Sequence, residues 1–312
     1  MNPYLRIARP DHWFKNVFML PGTGLAFLLV GTLNGTFVLH FILGVVATCL
    51  LASANYVINE YLDAEFDRFH PVKSQRPSVQ GMIKAKWVIV EYLSLGIVGL
   101  GIAWYLGHLF FIVSAFFLFM GFLYNVRPFR LKERVIVDVL SESINNPIRL
   151  VLGWAIVDKT HLPPSSVLLA YWFGGAFLMA VKRYSEYCSI DDPERAGLYR
   201  RSFQKYTKNI LLLSGFFYAM NSALFLGVFL IKYRIEFLLI FPFLAILFTW
   251  YLWYGLKQDG VAENPEEMYK RKWFVLYTGF VCALIIFLFV FDIPSLSIFL
   301  EESFIKLPTV EQ

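Results

Sequence analysis

Asn59-Glu60-Tyr61-Leu62-Asp63-Ala64-Glu65-Phe66-Asp67 ends an otherwise apolar stretch, and its reading decides both the fold class and the chemistry. Asn59, Asp63 and Asp67 recur every four residues. A helix therefore stacks them along one side with about 40° of drift per step, and Glu60 falls close to the same face. An isolated buried charge is expensive, so acids at the end of a hydrophobic span must be solvated, paired or metal-bound. Oxygen donors in a row suit a hard divalent cation such as Mg2+, which holds phosphates through one or two carboxylates. Asn59, Glu60, Asp63 and Asp67 are thus candidate metal ligands, and the pattern predicts a metal-diphosphate site at a membrane surface.

The rest of the chain fits that setting. Hydrophobic residues make up 58% of the 312 positions and charged residues only 16%, with a mean hydropathy of +0.57. A soluble domain carries about 25% charged residues, so the composition points to a polytopic membrane protein. Apolar windows long enough to cross a bilayer fall near 17–32, 37–58, 87–106, 108–124, 136–157, 166–182, 209–231, 235–255 and 273–292. The expected fold is an all-α bundle of nine transmembrane helices forming one domain over 1–312. The first window has no convincing cleavage site and reads as a retained helix rather than a signal peptide. With the N-terminus in the cytoplasm, 23 of the 28 Lys and Arg fall on inner segments, as the positive-inside rule requires. The two long polar loops, 60–86 and 183–208, then lie on the cytoplasmic side, where the site is expected. Cys49, Cys188 and Cys282 have no paired or metal-like spacing and read as packing residues.

Directly after the acids come Arg68, Lys73 and Arg76. Acids that hold a metal, followed by bases that meet the remaining phosphate oxygens, make a cradle for a chelated diphosphate. A solvated loop pairing with lipid headgroups is the alternative reading. Asp138, Glu142, Asn145 and Arg149 form a second polar stripe at helical spacing inside the fifth window. Charges at that depth should face the bundle interior, either lining the site or pairing with one another, for example Glu142 with Arg149.

Asn59 through Asp67, continued by Arg68, His70-Pro71, Lys73 and Arg76-Pro77, resembles the first aspartate-rich motif of the UbiA-type intramembrane transferases, with Glu60 in place of the usual second-position Asp. Arg9-Pro10-x-x-Trp13-x-Lys15-Asn16 resembles the opening of the decaprenyl-phosphate phosphoribosyltransferase branch. So do Tyr124, Arg127, Lys132 and Asp138, Arg149 before Gly153, and Lys182-Arg183-Tyr184-x-Glu186. Where the aromatic prenyltransferases carry a second Asp-x-x-x-Asp motif, this chain has bases. A phosphoribosyl diphosphate donor and a polyprenyl phosphate acceptor bring extra phosphates, and extra phosphates call for extra Lys and Arg. Lys182, Arg183, Arg200, Arg201 and Lys205 are available there, unless they only retain the helix end at the inner leaflet.

The resemblance implies a Mg2+-dependent transfer of 5-phosphoribose to a polyprenyl phosphate in the cell membrane, with Asn59, Asp63, Asp67 and Lys182 carrying catalysis. It implies substrate contacts from Lys15, Arg68, Lys73, Arg76, Tyr124, Lys132, Asp138, Arg149, Arg183 and Glu186. The expected partners are a polyprenyl lipid, a phosphorylated donor and membrane lipids, with no nucleic acid; an oligomer is compatible with this reading. The same apparatus would serve prenyl transfer to a small acceptor, or cyclisation of a prenyl diphosphate. An ion-coupled transporter should instead place its acids near the midplane with inverted repeats.

Overall fold

The computed structural model describes residues 2–31, 35–70, 72–190, 192–233, 235–257, 268 and 270–299. Pro71, Asp191, Arg234, Lys306 and most of the expected inner loop 255–272 lie outside the described residues. Among the described residues every regular element is helical. Twelve α-helices follow one another: α1 (Pro3–Ile7), α2 (Leu20–Val30), α3 (Phe37–Asp67), α4 (Ala85–Leu106), α5 (His108–Asn125), α6 (Val137–Ser143), α7 (Asn145–Ala155), α8 (Ser165–Ser189), α9 (Pro193–Tyr199), α10 (Lys208–Tyr233), α11 (Phe241–Lys257) and α12 (Lys272–Val290).

Seven helical segments are long and apolar enough to cross a membrane, and they coincide with seven of the nine expected windows. The other two differ. The apolar helix Lys272–Leu288 is shorter. The fifth window is not one helix but α6 and α7, separated at Ile144. Pro147 is the physical cause: it has no N–H for the Ser143 carbonyl four residues back, and its ring crowds that carbonyl. The break divides the polar stripe, so Arg149 does not meet Glu142. Instead Arg149 Nε donates to Asn16 Oδ1 at 2.9 Å, and its guanidinium lies over the Phe117 ring.

Several apolar clusters hold the bundle, two of them beside the polar stripe. Met19, Leu51, Phe110, Phe117 and Leu152 fill the space between α3, α5 and α7. Val139, Phe177, Tyr218, Tyr251 and Tyr254 do the same between α6, α8, α10 and α11. The α2–α7 crossing is closest at two glycines. A Cβ on Gly22 would lie 1.9 Å from the Leu150 carbonyl oxygen, and one on Gly153 would lie 2.0 Å from that of Met19. Backbones approach this closely only where side chains are absent. A third cluster, including Tyr184, Cys188, Tyr199, Phe203 and Tyr206, folds the segment after α8 back across the end of that helix. This return brings residues 199 and 200 opposite the end of α3.

Candidate active site

The last turns of α3 form one wall of a cavity of about 580 Å³. Asn59, Glu60, Asp63 and Asp67 all line it. Opposite them stand Lys182, Arg183 and Glu186 from the end of α8, Tyr199 and Arg200 from the returning segment, and Tyr124 and Glu142 from α5 and α6. The loop after α3 adds His70, Lys73 and Arg76, and the N-terminal segment adds Arg6 and Arg9.

Each α3 acid is held by a base from elsewhere in the chain. Glu60 accepts from Arg9 Nη2 at 2.9 Å and Nε at 3.2 Å. Asp63 pairs with Arg130 Nη2 at 2.9 Å and with Lys132. Asp67 pairs with Arg76. Asn59 donates to Asn125 Oδ1 at 2.6 Å and to Asp63 Oδ2 at 3.3 Å, and its own Oδ1 accepts from none of the described residues. Arg9 (φ 49°) and Arg130 (φ 33°), which reach Glu60 and Asp63 across the sequence, both have left-handed backbones. Side chains with a Cβ rarely adopt that conformation, which costs on the order of 1–3 kcal/mol and persists only where the surroundings impose it.

Glu186 is buried and fully engaged: its Oε1 accepts from Lys73 at 2.6 Å and Tyr199 at 2.7 Å, its Oε2 from Arg183 at 3.1 Å. His70 Nδ1 accepts the backbone N–H groups of Val72 at 3.1 Å and Lys73 at 3.3 Å, so this nitrogen carries no proton and the turn it closes points Lys73 at Glu186. Burial, aided by Lys73 and against the pull of Glu186, pushes the His70 pKa down to about 4. Burial likewise outweighs Asp63 and lowers Lys132 to about 8.

A neutral His70 has a consequence for stability. The unfolded chain takes up a proton near pH 6.5 and the folded one only near 4, so the unfolded state binds more protons in between and stability falls as pH drops through that window. His70→Gln is expected to flatten this dependence, measured as thermal unfolding in detergent at several pH values. An unchanged slope would contradict the assignment.

The cavity thus brings together Asn59, Glu60, Asp63, Asp67, Lys73, Arg76, Tyr124, Lys182, Arg183 and Glu186. Five other expected contacts do not line it. Arg68 is exposed and stacks on the Phe69 ring. Lys15 bonds His12 Nδ1 at 3.2 Å. Lys132 is turned toward Asp63 and Asn125 and borders a smaller neighbouring pocket with Arg130 and Arg201. Asp138 is fully buried, accepting from Tyr206 Oη at 2.7 Å and lying 3.6 Å from both Arg183 and Arg200. Arg149 is spent on Asn16. Sequence reasoning did not place Arg9, Arg130, His70 or Tyr199 in the site, and it offered Arg200 either as a phosphate partner or as a helix-end anchor. Only Arg9 and His70 stood inside a motif; the others arrive through tertiary folding.

Two of the cavity's bases, the exposed Arg6 and the half-buried Lys182, have side chains with no hydrogen bond or ion pair to any described residue. Arg200 is similar in part: its Nε and Nη1 are buried with no hydrogen-bond partner, and Nη1 has Asp138 as an ion-pair partner at 3.6 Å. Seven Lys and Arg line the cavity against six Asp and Glu. With so near a balance, a ligand carrying several negative charges needs additional positive charge. Among the described residues no three His, Cys, Asp or Glu side chains converge as a metal cage. Mg2+ does not require one, since it takes one or two carboxylates and fills its shell with phosphate oxygens and water. Asp63, Asp67 and the Asn59 oxygen on one helix face fit that demand.

An acid-lined helix end facing a basic helix end inside an all-helical membrane bundle defines a class of intramembrane enzyme fold. Residues 18–276 match the UbiA prenyltransferase family, and the chain belongs to that family. It is 31% identical over 216 residues to the decaprenyl-phosphate phosphoribosyltransferase of Mycolicibacterium smegmatis, covering 66% of this chain and 63% of that protein. Identity to the protein of the same name from Mycobacterium tuberculosis is 31% over 215 residues, 66% of this chain and 67% of the relative. The chain thus spans about two thirds of the length of these curated relatives. A UbiA homolog from Archaeoglobus fulgidus, solved bound to GPP and Mg2+, shares the fold with a TM-score of 0.67 at 22% identity, over 91% of this chain and 99% of that one.

Proposed function

We propose that this protein is a membrane-embedded transferase that moves 5-phosphoribose from phosphoribosyl diphosphate to a polyprenyl phosphate, releasing diphosphate. The chain crosses the membrane nine times as a single domain over 1–312, with the α6–α7 pair and α12 completing the set. Its N-terminus and cavity face the cytoplasm. The observation that carries this reading is the distribution of bases: Lys182, with no partner among the described residues, and Arg200, whose ion-pair partner is Asp138 at 3.6 Å, face the acid row of α3 across one cavity. A diphosphate held at α3 leaves Lys182 unused and Arg200 with only Asp138 at 3.6 Å, whereas a donor with a second phosphate engages both. The names of the relatives from the two mycobacteria support the same donor and acceptor.

Mg2+ held by Asn59, Asp63 and Asp67, with Glu60 alongside, would neutralise the charge that develops on the departing diphosphate. Lys73 and Arg76, already beside these acids, are placed to meet the diphosphate oxygens that remain. Lys182 and Arg200 bind the sugar phosphate and orient the ribose. Arg183 and Glu186 keep that wall in place. The acceptor phosphate is ionised near neutral pH, as its second pKa near 6 requires, so the transfer needs no strong base. His70 accordingly has its acceptor nitrogen committed to the backbone.

Purified protein with Mg2+, labelled phosphoribosyl diphosphate and polyprenyl phosphate is expected to yield labelled lipid. Product only from a labelled prenyl diphosphate with an aromatic acceptor would replace this donor by the prenyl one. Lys182→Ala is expected to raise KM for phosphoribosyl diphosphate by roughly 10- to 100-fold, the loss of one charged hydrogen bond. Inhibition by inorganic diphosphate, which lacks the sugar phosphate, should shift by less than about threefold in the same variant. Equal shifts would remove Lys182 from the sugar-phosphate position.

A further inference from the structure

Glu142 is a cavity carboxylate that phosphate binding does not explain, since an acid on the wall opposite the α3 row would repel the ligand. Nor is it needed to neutralise Arg183, which already has Glu186 at 3.1 Å and Asp138 at 3.6 Å. Glu142 is nevertheless held firmly: its Oε2 accepts from Tyr124 Oη at 2.7 Å and from Arg183. Its Oε1 makes no hydrogen bond to any described residue, and the side chain keeps 28% of its exposure where it borders the cavity.

The position of this free oxygen relative to the acid row follows from α5. Tyr124, which holds Glu142, immediately precedes Asn125, which holds Asn59 at 2.6 Å. Adjacent residues at one helix end therefore tie Glu142 and the first member of the acid row to neighbouring places in the cavity. An ionised carboxylate only accepts hydrogen bonds, so it selects a ligand that can donate them. Ionised phosphates and isoprenoid chains donate none; sugar hydroxyls do. Carboxylates on ribose hydroxyls are the established solution in dinucleotide-binding folds.

Resting on the donor proposed above, we propose that Glu142 Oε1 accepts a hydrogen bond from a ribose hydroxyl of the donor and so selects a hydroxylated donor over a prenyl diphosphate. The probes are phosphoribosyl diphosphate and its 2-deoxy-2-fluoro and 3-deoxy-3-fluoro analogues, in which fluorine keeps the size but cannot donate. Glu142→Ala is expected to lower kcat/KM for the natural donor by roughly 10- to 100-fold, and for at least one fluoro analogue by less than about threefold, each relative to wild type. Glu142→Gln keeps an acceptor of the same length and should lose only about tenfold on the natural donor. Each ratio compares donors on one preparation, so the fraction of folded protein cancels. Equal losses on all three donors would reduce Glu142 to a partner of Arg183 and overturn the assignment while leaving the proposed function intact. A wild-type protein that turns over prenyl diphosphate and no phosphoribosyl donor would remove both together.

Discussion

Asp63→Asn and Asp67→Asn are each expected to lower turnover by roughly a thousandfold, the upper range for removing one group that stabilises charge in a reacting complex. Asparagine keeps the shape and one oxygen but loses the charge that draws a divalent ion into the cavity. The two variants differ in their structural side effects. Asp63 is the common partner of Arg130 and Lys132, so its loss leaves the largely buried Lys132 without its ion pair and Arg130 with Glu133 alone. Asp67 has one close partner, Arg76, which also lies in the field of Glu60. Asp67→Asn should therefore unfold close to the wild-type temperature while Asp63→Asn unfolds earlier, and both should be inactive when folded. Near-normal turnover in either variant, or wild-type turnover that survives thorough chelation of divalent ions, would end the metal proposal.

That row of acids was legible in the sequence because the helical repeat is local: Asn59, Asp63 and Asp67 share a face wherever residues 59–67 form a helix. Long apolar windows were legible for the same reason, and seven of them are helices of spanning length. The α6–α7 break was written in Pro147, but a count of apolar residues passes over a single proline, so one continuous stripe from Asp138 to Arg149 was the natural expectation. Partners of the acids were not legible. Arg9 lies 51 residues from Glu60 and Arg130 lies 67 from Asp63. Both arginines use backbone conformations that nothing in their residue type announces. Arg200 reaches the cavity only because Tyr199, Phe203 and Tyr206 pack their segment back over α8. Periodicity locates a wall of the site; long-range packing decides what faces it.

Arg183 carries the second large expected effect, and it falls on folding as much as on substrate. Its side chain is 2% exposed, ion-paired with Glu142 and Glu186 and close to Asp138. Arg183→Met deletes the cation that three carboxylates share. Glu186 keeps Lys73 and Asp138 keeps Arg200, but Glu142 retains only the Tyr124 hydroxyl. Breaking a fully buried pair by removing one partner costs about 3–5 kcal/mol, and the partial exposure of Glu142 to the cavity places this loss at or below the lower end of that range. Arg183→Lys should also lose stability, since one ammonium cannot bridge acids arranged around a planar fork. Removing the stranded acid as well, in Arg183→Met with Glu142→Leu, should recover a substantial part of the loss, and the double-mutant cycle should give a coupling of about 2 kcal/mol or more. Thermal unfolding in detergent reads all four proteins. If Arg183 served only to grip a substrate phosphate, the empty variants would unfold together with wild type and KM alone would move; a coupling near zero would select that reading and separate Arg183 from the acids that surround it.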